Sequence, residues 1–496
     1  MSLSVALQVA QSALAARQTE TSTVSRNIAG AQDAGYSRKS VLLSTVISES
    51  GQTSGLQVEG IGRVTDDALY ASLLQSTAVG TSQEAILEGL EALAATIGDT
   101  SLEMSPSALL GDLKTALQNA AADPNDTILA QDLLSTASDL VTSLNETSET
   151  VQGVRADADA DIADSVDSIN ELLGQLEDLN TVIVRGNQSG NDITDALDSR
   201  DQVLLALSEE IGITTLTRTD GDVVVYTDGG VTLFETTARE VSFEPTNTFF
   251  ATTTGNSVYV DGVPVAGVDA IMPTTSGRLY GLTELRDEIA PTYQSQLDEI
   301  ARGLIESFAE ADQSGGGGPD QAGLFTWSGS PAVPATSTLS SGLAADIQIN
   351  ANADPDQGGN LDLLRDGGIS DPLDPDYDYN PTDLAGYTGR YQDFLDALDE
   401  PRVFDAGVEL DPTDTLTGFA SSSVGWLESN RQSATSDLEV QSVIVSRTAE
   451  SLANTTGVNI DEEMTLLLDI ERAYAAAAKL ISAVDNMLDD LLASAS

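Results

Sequence analysis

Both ends of this chain carry an apolar heptad seam, and no other feature constrains its fold as strongly. From Ser2 to Ala29 the spacing predicts a helix in which Leu3, Leu7, Ala10 and Leu14 recur on one face. Arg17 and Thr21 interrupt the seam, and Val24 and Ile28 resume it. From Ile460 to Ala493 the repeat is unbroken through Leu467, Ile470, Tyr474, Ala477, Ile481, Val484, Leu488 and Leu491. A helix with a single apolar stripe must bury it against a partner. For these two helices the candidates are each other, or the same helices in neighbouring copies.

Between the seams the pattern changes. Helical spacing covers Val64–Ile97, a start at Ser105-Pro106, and a long stretch running to about Val184. Another helix is expected from Asp192 to Glu210. At Ile211 the period switches from 3.6 to 2. Val223–Tyr226, Val231–Phe234, Val241–Phe243 and Ser257–Val265 are strand candidates. Asp220-Gly221, Asp228-Gly229 and Asp261-Gly262 supply hairpin turns, and the tip at Asp228-Gly229 is expected to tolerate insertion. Helical character returns after Gly281. Ser314 to Pro319 reads as a Gly-rich linker, and residues 320–412 as mostly irregular. A helix from Ser421 to Asn454 precedes the last one, which Asn459 and Glu462 cap.

The expected fold is therefore α+β and multidomain. Both termini form a long helical bundle, into which a small β domain and an irregular acidic segment are inserted. Residues 1–60 and 459–496 make the terminal axial part. Residues 61–210, 280–312 and 413–458 make a helical rod, 211–279 the β domain, and 313–412 the Gly/Pro/Asp-rich segment.

Composition limits what such a fold can do. The formal charge is −58, from 79 acidic and 21 basic residues, which repels nucleic acid and anionic membrane. With no Cys and no His, thiol and imidazole chemistry and Cys/His zinc sites are ruled out. Asp374-Pro375-Asp376-Tyr377-Asp378 begins like a calcium loop, but Tyr379 and Ala385 stand where Gly and Glu are needed. Asp157, Asp159 and Asp161 read as a solvated helix surface. No phosphate loop, nucleophile elbow or dinucleotide fingerprint occurs. The expectation is a structural protein, not an enzyme, with no catalytic, cofactor or metal site. Met1–Ala16 lacks a basic n-region, so export without a cleaved signal peptide is expected.

Thr23-Val24-Ser25-Arg26-Asn27-Ile28-Ala29-Gly30-Ala31, followed by Gly35-Tyr36-Ser37-Arg38, resembles the N-terminal signature of flagellar rod, hook and hook-associated proteins. In that family the helix ends in Asn-Ile-Ala-Asn-Ala before a Thr-Pro-Gly-Tyr turn. Here Gly30 takes the second Asn slot, and Asp33-Ala34 replaces Thr-Pro. The C-terminus is similar to the family's closing helix through Gly457–Glu463, Glu471-Arg472-Ala473-Tyr474 and Val484–Leu488. Asn27, Ile28, Ala29, Gly35, Tyr36, Asn459, Glu462 and Tyr474 are the matched signature positions. Two internal segments, Asp198–Ser208 and Gly277–Leu282 continuing to Gln294, resemble the hook-associated branch that forms the first hook–filament junction. The resemblance implies an extracellular, self-assembling flagellar subunit. Its implied partners are copies of itself, the hook protein, the second junction protein, and an export chaperone on the C-terminal helix. Another axial role, in hook or distal rod, stays open at this point, as does a flagellum-borne adhesin or glycan-acting enzyme.

Overall fold

The computed structural model describes residues 3–47, 53–96 and 105–495. The Gly51 turn, Ile97 and the side chains of Leu3 and Leu491 lie outside what is described. Helix α1 spans Leu3–Gly30 and the last helix, α12, spans Ile460–Ala495. They lie antiparallel against each other. Helix α12 buries Glu463, Ile470, Ala477 and Val484, one residue per heptad, against Ala10, Ala16, Thr23, Val24 and Asn27 of α1. A hairpin, β1 (Lys39–Ile47) with β2 (Thr53–Arg63), lies across α1, and Leu56 N donates to Ser12 Oγ.

From the hairpin the chain enters the body through α2 (Asp67–Ala94), which pairs with α11 (Leu416–Thr456). Helix α3 (Pro106–Ala122) begins with Ser105 capping and Pro at its first position. The longest element is α4, Thr127–Ser189, whose 63 residues span roughly 95 Å. Its start is capped by Asp126, and it stops at Gly190, whose φ of 69° suits glycine. One face buries Leu133, Leu140, Leu144, Val151, Ile162, Ile169, Leu173 and Ile183 completely. Helix α5 is Thr194–Glu210.

The β region holds two separate three-stranded antiparallel sheets. One is β3 (Ile213–Thr217), β4 (Val223–Thr227) and β5 (Thr232–Phe234); the other is β6 (Val241–Ser242), β7 (Val258–Val260) and β8 (Val263–Ala266). All three expected turns connect neighbouring strands. Both sheets rest on α4. Asn180 brackets Asp222 and Val223, and Asn170 brackets Val241 through its N–H and C=O. The Asp228-Gly229 turn is not a free tip. The Asp228 carboxylate accepts from Thr274 Oγ1, Thr275 and Ser276, and a Cβ on Gly229 would meet Met272 O at 2.6 Å. Insertion there would break this network, contrary to the expectation from sequence.

Helix α6 (Arg278–Glu284) runs through a π turn at Leu285–Ile289 into α7 (Ala290–Ser307). The π turn aims Arg286 inward, where it pairs with Asp159 of α4 at 2.6 Å. Asp159 is thus buried, not solvated. Two residues along a helix turn the side chain by about 200°, so Asp159 faces inward while Asp157 stays exposed.

Residues 313–412 are ordered by aromatic anchors rather than by periodicity. They contain β9 (Phe325–Thr326), α8 (Leu343–Asp346), β10 (Gln348–Ile349), α9 (Leu363–Asp366), α10 (Gly389–Asp399) and β11 (Arg402–Val403), with β12 (Thr413–Asp414) just after. Phe308 of the body contacts Phe325 and Phe394 at ring distances of 4.8 and 4.5 Å, and Phe404 stacks on Phe419 at 3.9 Å. The eleven-residue α10 is a helix that the expectation of irregular structure misses. Its apolar face, Tyr391, Phe394 and Leu398, follows helical spacing over too few turns to stand out from its Asp-rich surroundings.

Candidate assembly joint

The last turn of α1 presents Asn27, which is 1% exposed. Its Nδ2 donates to Lys39 O at 2.8 Å and to Glu463 Oε2 at 3.1 Å. Its Oδ1 accepts from Lys39 N and from the Tyr36 hydroxyl, each at 3.0 Å. One amide side chain therefore fastens the helix end, the following turn, the first strand and the last helix. Gly30 makes the turn possible, because a Cβ there would lie 2.6 Å from the Tyr36 ring. Gly35 lets α5 approach, because a Cβ there would overlap Gln202.

Glu463 completes this arrangement from α12. It is wholly buried and accepts from Arg38 Nε at 2.6 Å. Arg38 N in turn donates to Thr456 O at the end of α11. On the other side stands α5 and the residues before it. Asp192 and Asp195 hold Arg26; Asp195 and Asp198 hold Lys39; Asp198 and Asp201 hold Arg63. Asp198 also accepts from Ser37 Oγ at 2.5 Å, and Tyr70 donates its hydroxyl to Asp201 O. Lys39 sits 4.0 Å over the Tyr36 ring. Burial works against the Lys39 charge, but the Asp195 and Asp198 carboxylates outweigh it and raise its pKa. The Lys39 ammonium in turn holds the Asp195 carboxyl below its usual value. The pair is charged at neutral pH.

The signature positions read from sequence fall partly here. Asn27, Gly35 and Tyr36 are in the joint. Asn459 caps α12 through Asp461 N and Glu462 N, whereas Glu462 itself is exposed. Ala29 is exposed and Ile28 half-buried. Of the seam positions, Val24, Ile470 and Val484 are buried in the α1–α12 contact, and Leu7, Leu14, Leu467, Ile481 and Leu488 flank it half-buried. Tyr474 lies on its edge, 43% exposed, because α1 covers only one side of the stripe. Sequence reading passed over Glu463. Its signal is positional: it stands one heptad before Ile470, a charged residue in an apolar register.

Among the described residues no group of three or more acidic residues is placed to hold a metal ion, and no helix is long and apolar enough to cross a membrane. The joint binds the chain to itself through positioned charges.

Residues 87–325 match the family model for the flagellar hook-associated protein FlgK helical domain. Residues 452–494 match that for the flagellar basal body rod FlgEFG protein C-terminal region. Flagellar hook-associated protein 1 of Bacillus subtilis (strain 168) is 23% identical over 527 residues, covering 98% of this chain and 97% of that protein. Its counterpart in Escherichia coli (strain K12) is 27% identical over 341 residues, covering 65% of this chain and 60% of that protein. The solved structure of the flagellar hook junction protein FlgK from Burkholderia pseudomallei shares the fold, with a TM-score of 0.54 and 14% identity. That likeness covers 77% of this chain and 99% of the other. Helical-domain match, rod-type C-terminal match and end-to-end similarity agree: along nearly its whole length this chain is similar to flagellar hook-associated protein 1.

Proposed function

We propose that this chain is a structural subunit of the bacterial flagellum that joins hook to filament and has no catalytic activity. The observation that carries this reading is the incomplete burial of α12. Its contact with α1 uses one side of a broad apolar arc and leaves Leu466, Leu480 and Met487 at 40, 60 and 48% exposure. These three keep heptad spacing with Ala473, so they form a second stripe beside the first. On the hairpin, Leu42 and Ile47 are also exposed, at 52 and 65%. Apolar surface of this kind marks a place where another chain docks. In this reading residues 1–60 and 459–496 enter a coaxial tube with copies of the same chain. Hook protein lies on one side and the second junction protein on the other. Before export, a chaperone covers the α12 stripe. The assembled site is extracellular.

Electron microscopy of a strain lacking the gene tests this. Hooks without filaments are expected; absent or malformed hooks would instead indicate a hook or rod subunit, and normal filaments would refute a junction role. Restoring the gene with Ile470→Asp, which buries an unpaired charge in the α1–α12 contact, should fail to restore filaments although the chain is secreted.

A further inference from the structure

The charge of this chain is unevenly placed. Residues 1–60 and 459–496 carry twelve acidic and six basic residues, so −52 of the −58 belongs to the 398 residues between them. Per residue the body thus carries about twice the net charge of the two terminal segments together, although 459–496, with eight acidic and two basic residues, is itself as acidic as the body. The body's cations are also spent internally. Arg286 and Arg302 are buried in ion pairs, and Arg155 and Arg390 are buried on backbone carbonyls. Among the described residues, Arg185, Arg447 and Lys479 are exposed basic side chains in no described ion pair. A neighbouring body therefore offers almost nothing for a carboxylate to pair with.

Many of the body's carboxylates, by contrast, face solvent. Along α4, Asp132, Asp139, Glu146, Asp157, Asp164 and Glu171 are all exposed and outside every described ion pair. Their separations of 7 and 11 residues are each close to a whole number of helical turns, so they form one stripe along the rod. Copies that meet side by side through their termini bring such bodies close together.

We infer that docking of this chain requires a cation-rich medium, in which diffuse counter-ions screen the acidic bodies from one another; this rests on the junction reading above. The screening is collective and needs no bound ion. At about 0.1 M salt like charges act over roughly 10 Å, and at about 1 M over roughly 3 Å. The apolar α12 stripe supplies the attraction at any salt, and the bodies set the threshold.

The test uses the full chain and hooks isolated from a strain lacking it, co-sedimented over a potassium chloride series, with helicity followed at each salt. Bound chain should rise by about tenfold or more between roughly 0.05 and 2 M, the range over which screening becomes short. A variant with Asp132, Asp139, Asp157 and Asp164 changed to Asn should reach half-maximal binding at lower salt. Constant binding across the series, binding that falls with salt, or loss of binding that merely follows loss of helicity would overturn the inference. So would a variant with the wild-type midpoint, since salting-out of apolar surface would then explain the rise. A folded chain that binds hooks at no salt concentration would refute the junction reading itself.

Discussion

Replacing Glu463 by Ala isolates the contribution of the joint. The side chain is 0% exposed and accepts from Arg38 Nε and Asn27 Nδ2. A hydrogen bond to a charged group contributes about 1.5–3 kcal/mol, and one from a neutral amide about 1 kcal/mol. Arg38 is a third exposed, so water recovers part of its loss. Asn27 keeps the Lys39 carbonyl as an acceptor. The net cost is about 2–4 kcal/mol, or roughly 30- to 1,000-fold in the opening of α12 from α1. The cost is local, because the buried face of α4 packs elsewhere. Hydrogen exchange on the purified chain is the assay. Amides from Leu467 to Leu488 should lose that factor of protection, those of α1 should follow, and those from Leu140 to Leu176 should not change. Glu463→Gln keeps the shape and one acceptor, so its effect should be smaller. Unaltered protection of α12, or an equal loss in α4, would show that the contact does not hold the terminal pair.

Two further substitutions probe the body. Arg286→Ala leaves Asp159 and Asp287 without their cation, and breaking a buried pair from one side costs about 3–5 kcal/mol; the urea midpoint should fall sharply, and an unchanged midpoint would contradict the buried network. Burial pushes the Asp298 carboxyl up to about 6, against the donors Ala344 N, Gly342 N and Gln294 Nε2. Its folded pKa lies above the unfolded one, so its contribution is present below about 4 and is lost as pH rises through about 6. Relative to Asp298→Asn, wild type should therefore lose about 1.4 kcal/mol of unfolding free energy between pH 5 and pH 8. A difference that stays constant across that range would rule out a raised Asp298.

What the sequence revealed depended on repetition. Helices α1, α4, α11 and α12 are legible because their apolar residues recur over many turns, and the Asp-Gly pairs mark three hairpins between Ile213 and Ala266. Helix α10 has only three turns, and residues 313–412 are held by Phe325, Phe394 and Phe404, single aromatic contacts with Phe308 and Phe419 of the flanking helices that no repeat announces. The ion pairs were illegible because their partners lie far apart. Arg26, Lys39 and Arg63 meet carboxylates more than 130 positions along the chain, and with 79 acidic residues no sequence pattern singles out four. Asp159 shows how composition misleads: one Asp among many acidic residues reads as surface until its face of the helix is known.

The joint also explains how the terminal pair is aimed. The body connects to it through two chain crossings, at 64–66 and 457–459. Two crossings alone make a hinge. What turns the hinge into a fixed joint is the acidic edge of α5 with Asp192 just before it, which grips Arg26, Lys39 and Arg63 from outside the terminal pair. Asp198 is the centre of that grip, touching Ser37, Lys39 and Arg63. Asp198→Ala should leave both parts folded, since neither core contains it, while releasing their relative orientation. The absence of native Cys makes this measurable. Spin labels at Ser446→Cys on α11 and Ser482→Cys on α12 stand on exposed positions at either side of the joint, within roughly 50 Å of each other at 1.5 Å per residue. Pulsed dipolar spectroscopy should give a narrow distance distribution in the Asp198-containing chain and a broad one in the variant, with helicity equal. Equal widths would mean that the covalent crossings and the α11–α12 turn hold the angle, and that the carboxylates of α5 merely neutralise the charges beside them.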